Sequence, residues 1–163
     1  MLFIINLFFY HFWLLALGIT GLNVLIMRLW AQKFITTQPE LAEGYRQLFW
    51  GMLFYLGLPW LVMGFGIVVG GVPAPLYFLN PKTGNPFVLT FHLTLVFLWL
   101  LGFMWIYFWD GAEFYVKYIT PLRRSSILTR SPLGVKIMAA ISFGAGLIGL
   151  VTLWLFDFPG PGF

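Results

Sequence analysis

Four long apolar stretches, at residues 2–27, 48–69, 87–109 and 135–156, leave this chain few folds to choose from. Each is near the ~20 residues that an α-helix needs to cross a ~30 Å hydrocarbon core. Apart from Lys136, at the very start of the fourth, they hold no Asp, Glu, Lys or Arg. Of the 163 residues 61% are hydrophobic and 9% charged, where an ordinary soluble domain is roughly a quarter charged. A water-soluble fold of this length has too little interior for so much apolar surface. The expected fold is an all-α integral membrane protein: one membrane domain over residues 1–163, built as a four-transmembrane-helix bundle.

Punctuation between the stretches supports the division. Arg28 ends the first, Gly70-Gly71-Val72-Pro73 ends the second, and Pro121 ends an extension of the third. Thr37-Gln38-Pro39-Glu40 reads as a capping box, with Thr37 as N-cap, so the second helix is expected to begin outside the bilayer. Ser131-Pro132 reads as a hydroxyl cap with proline at the first helical position of the fourth helix. The N-terminus lacks the positive n-region and small-residue cleavage site of a signal peptide, so the first stretch is expected to stay as a helix.

The basic residues set an expected orientation. Arg28, Lys33, Arg46, Lys117, Arg123, Arg124, Arg130 and Lys136 fall on the side shared by the first and third connections, and Lys82 falls opposite. Cytoplasmic loops carry the excess of Lys and Arg. Both termini and the connection at residues 70–86 are therefore expected on the non-cytoplasmic side, in a bacterial-type inner membrane or an equivalent energy-transducing membrane. The net charge of +4 is thus a matter of topology and anionic-lipid contact rather than of nucleic acid.

Candidate chemistry is sparse. With no cysteine the chain has no disulfide, thiolate metal site or thiol nucleophile. The two histidines, His11 and His92, lie in parallel spans, 17 residues before Arg28 and 18 before Asp110. At about 1.5 Å per residue they reach one depth, near the outer surface. Two imidazoles at one level can clasp a b-type haem between helices, so His11 and His92 are candidate axial ligands. Phe12, Trp13 and Phe91 would flank such a ring, and Gly64, Gly66 and Gly70 would leave it room; the same glycines equally suit close helix packing. The blander reading of both histidines is interfacial hydrogen bonding. No catalytic metal site is expected, Asp157 being the sole carboxylate near that face.

At the basic end, Glu40 with Glu43 and Asp110 with Glu113 are spaced to share helical faces. Lys117 after Glu113 and Arg46 after Glu43 favour surface ion pairing over acid–base catalysis. The lack of deep charge argues against a pump, and Pro59 in the second span reads as a bend. The connection at residues 70–86 carries four prolines and should be rigid. Pro81-Lys82-Thr83-Gly84 has β-turn composition, and Leu76-Tyr77-Phe78-Leu79 is apolar enough to meet the membrane surface or a partner. Aromatics make up 21% of the chain, with Trp99 and Trp105 deep in the third span, as suits packing against other helices. Three functions stay open: a non-catalytic accessory or assembly subunit of a larger membrane complex, a bis-histidine haem b electron-transfer protein, and a small transporter or channel. The first is preferred, with membrane lipids and other membrane subunits as partners and no nucleic acid.

Overall fold

The computed structural model describes residues 10–122 and 127–156. The expected start of the first span, the Arg123-Arg124 pair and the tail from Asp157 lie outside the described residues. Four helices are long and apolar enough to cross a membrane: α1 (Phe12–Thr37), α2 (Ala42–Val68), α3 (Pro86–Phe108) and α5 (Pro132–Leu155). A short α4 (Gly111–Phe114) follows α3 and passes directly into a π-helical turn, Tyr115–Ile119. The described residues contain no strand. A helix satisfies its own backbone donors and acceptors, which hydrocarbon cannot do for it.

The helix ends correct two expectations. α1 does not stop at Arg28 but runs through Lys33 to Thr37. A charge ends the apolar span, not the helix, because Arg, Gln and Lys are good helix formers in water. Thr37 is not the N-cap of α2. Its hydroxyl donates back to the Phe34 carbonyl at 3.0 Å, closing α1. Pro39 then opens a 3₁₀ turn, Pro39–Leu41, that leads straight into α2 with no side-chain cap. The cap on α5 is as expected: Ser131 Oγ accepts from the Gly134 amide at 3.2 Å, with Pro132 at the first helical position. Asn85 does the same for α3, accepting from Phe87 N at 2.9 Å ahead of Pro86.

The helices pack in chain order. α1 packs on α2, α2 on α3, and α3 on α5, while the extensive packing of α1 is with α2. The bundle is therefore open rather than a closed square. Its contacts gather into two cores. At the basic end Met27, Ala31, Tyr45, Leu48, Tyr118 and Leu122 come together. At the other end Met63, Ile67, Val72, Phe78, Val88 and Phe91 form the second. The most apolar window of α5 has no buried residue, which suits a helix whose outer face meets lipid.

The connection between α2 and α3 is folded down onto the second core. Gly71 turns the chain with φ +63°, a 3₁₀ segment Pro75–Leu79 follows, and a second, Pro81–Thr83, closes on Gly84 at φ +68°. Phe78 does not lie on a surface as the apolar Leu76–Leu79 run suggested; it is fully buried, with its ring edge-on to Phe91. Leu76 and Leu79 are the exposed members. Lys82 Nζ donates to the Leu155 carbonyl at 3.0 Å, satisfying an end carbonyl of α5 where the helix dipole favours a cation.

Candidate functional site

His92 is buried, 2% exposed, and its Nε2 lies 2.8 Å from the Phe78 carbonyl oxygen. A carbonyl only accepts, so Nε2 carries the proton and donates. Its ring sits edge-on to Phe91 and Trp154, and its Nδ1 is buried with no hydrogen-bond partner. His11 is exposed in the turn that opens α1, with its ring against Tyr10. The ring neighbours of His92 thus do not include His11. The room expected beside Gly64, Gly66 and Gly70 is filled by this chain's own aromatics: Trp13 lies on Gly64, Phe78 and Phe87 on Gly66, and Phe87 on Gly70. These glycines serve close packing. As placed, His92 pins the connection at residues 70–86 to α3.

An opening lies at the other end. A cleft of about 970 Å³ runs between α2 and α3. Gln47, Gly51, Met52 and Tyr55 line one wall and Leu101, Gly102, Trp105 and Trp109 the other, with Met27 of α1 and Phe143 of α5 at its sides. Gly51 faces open space, and Gly102 admits the Tyr55 side chain, whose hydroxyl would lie 2.7 Å from an added Cβ. From Gln47 to Leu56, or from Asp110 back to Leu101, the cleft descends about 13 Å at 1.5 Å per residue. That is nearly half of a ~30 Å hydrocarbon core.

Its mouth is built by a break in the chain. α3 stops at Phe108, and Asp110 adopts the left-handed region with φ +56°, the sole non-glycine described residue to do so. Such a backbone costs of order 1–3 kcal/mol and persists where surroundings enforce it. Here the Asp110 carbonyl accepts from Phe114 N at 2.9 Å, and Gly111 lies so close to Trp105 that a Cβ there would meet the Trp105 carbonyl. The π turn that follows, a feature frequent at functional sites, carries Tyr115, Lys117 and Tyr118 onto the cleft wall.

Side chains at the mouth depart from simple surface pairing. The expected Glu43–Arg46 pair forms, at 2.9 Å. The expected Glu113–Lys117 pair does not; the Lys117 ammonium lies over the Tyr118 ring, 5.2 Å from its centroid. Asp110 and Glu113 are both exposed at the mouth and neither is ion-paired among the described residues. The described residues hold no cluster of three His, Asp or Glu side chains suited to a metal ion. No family model, curated protein or solved structure matches this chain.

Asp110 and Glu113 do not share a helical face as expected, because Asp110 sits in the left-handed turn ahead of α4, and the sequence carries no direct sign of the cleft. The turn-forming Asp110-Gly111 dipeptide after an apolar run was the available indirect signal. Gly51 and Gly102 carry no comparable mark, since their role depends on how two helices are set side by side.

Proposed function

We propose that the chain is a non-catalytic accessory subunit of a larger membrane assembly, and that its working site is the basic-end cleft, which holds a chain-bearing amphiphile. The cleft's volume, apolar walls and polar mouth carry this reading. The cleft is open at one side and its lining is largely apolar. Water does not favour apolar walls, so an apolar chain is the natural occupant. Pockets for small molecules share this design of apolar walls with a few convergent polar groups.

The accessory part of the reading rests on α1. This helix has one extensive packing partner in the chain, and Asn23, within its apolar span, is exposed without a hydrogen-bond partner among the described residues. Hydrocarbon cannot satisfy an amide, whereas a neighbouring helix can, at about 1 kcal/mol in typical cases. The distribution of Lys and Arg supports a cytoplasmic basic end. Haem ligation by His11 and His92 is a separate proposal, decided by an absorption spectrum with and without dithionite.

Gly51→Phe tests the cleft, because a Cβ at this lining position meets nothing within 4 Å and the ring adds bulk where an acyl chain would enter. Delipidated protein should gain thermal stability when lipid is added back, as mass action requires of a bound ligand. The variant should start more stable and gain little. Equal gains in both proteins would count against the cleft.

A further inference from the structure

We infer that the amphiphile held in the basic-end cleft carries an amine or ammonium head group, so that the cleft selects zwitterionic amine-bearing lipids over anionic ones. This rests on the cleft-binding reading above and adds the chemistry of the head. At this end of the molecule Arg28, Lys33 and Arg130 are exposed and Lys136 is half-buried, and basic residues at that level ordinarily attract anionic lipid. The cleft mouth has the opposite character. Asp110 and Glu113 face it without ion-pair partners among the described residues, and the one cation among its described lining residues, Lys117, is set against the Tyr118 ring.

Two carboxylates and one ammonium complement a head group with a phosphate and an amine, the amine meeting Asp110 and Glu113 and the phosphate meeting Lys117. An anionic head without an amine would satisfy Lys117 alone and bring its charge beside two carboxylates. At an effective dielectric constant near 20, like charges about 4 Å apart repel strongly enough to decide such a choice. The Asp110 backbone is also held in place. Its left-handed conformation is locked between the Phe114 amide hydrogen bond and the Trp105–Gly111 contact, so little backbone freedom is lost on binding. Deeper in the cleft the Tyr55 hydroxyl, which has no partner among the described residues, offers one hydrogen bond to a linkage group.

The test is a native mass-spectrometric titration of the full chain in detergent with phosphatidylethanolamine and phosphatidylglycerol of matched acyl chains. Wild-type protein should retain the ethanolamine lipid at least about tenfold better, equivalent to roughly 1.4 kcal/mol. Asp110→Asn with Glu113→Gln should bind both lipids alike; asparagine tolerates the left-handed backbone, so the fold is kept. Gly51→Phe should lose both. Equal retention by the wild type, or a preference unchanged in the double variant, would overturn the head-group inference while leaving the cleft in place. Binding that survives in Gly51→Phe would instead overturn the cleft reading itself.

Discussion

The Nε2–H of His92 donates to the carbonyl oxygen of Phe78 across 2.8 Å, joining the second turn of α3 to the connection that precedes it. Removing the imidazole leaves a carbonyl facing a dry core, a loss of about 1–3 kcal/mol. His92→Ala should lower the melting temperature and expose residues 70–86 to proteolysis. His92→Gln, which can restore the donor, should recover part of both. A Soret band that vanishes in His92→Ala would assign the ring to haem instead.

Glycine substitutions should separate packed from open helix faces. At Gly44 a Cβ would collide with the Tyr118 ring, so Gly44→Ala should cost about 1–3 kcal/mol through overpacking. At Gly18, where nothing lies near, alanine should be neutral or gain up to about 1 kcal/mol of helix propensity. Thermal denaturation in one detergent compares the two.

Asp110 should tolerate substitution according to backbone, not charge. Asp110→Gly and Asp110→Asn suit φ +56°, while Asp110→Val should destabilise by about 1–2 kcal/mol because a branched Cβ crowds the left-handed region. Similar melting temperatures for all three would mean that this turn is not enforced by its neighbours.

Asn23 marks the face of α1 on which a partner helix is proposed. A photo-crosslinking side chain placed there should yield one discrete adduct in native membranes, and one placed at Gly149, on the open face of α5, should yield lipid adducts alone. Lipid adducts at both sites would remove the support Asn23 lends to an accessory role. Reporter fusions after residue 163 and near Ser126 test the orientation: a phosphatase should be active at the first and inactive at the second.

The four long helices were legible because a long uncharged apolar stretch of about this length has one stable form in hydrocarbon, a helix, and all four are helices long and apolar enough to cross a membrane. Ser131-Pro132 marked a real helix start for the same local reason, a hydroxyl followed by a ring with fixed φ. Thr37 misled because its hydroxyl can serve either neighbour, and the helix it ends offered two nearby carbonyls. The histidines matched in depth, yet depth along a helix says nothing of rotation about its axis, and Phe78 claimed one ring. The cleft was the least legible feature. It arises between α2 and α3 beside the Tyr55–Gly102 contact, a relation between distant residues that periodicity does not record.

The central claim is that the basic-end cleft holds an amphiphile, and lipid recovered from gently purified protein tests it most directly. Mass spectrometry should find a chain-bearing lipid retained in stoichiometric amount by the wild type and absent from an equally folded Gly51→Phe variant. Wild-type protein that purifies folded and free of lipid, or a variant that retains the same lipid in the same amount, would contradict the account.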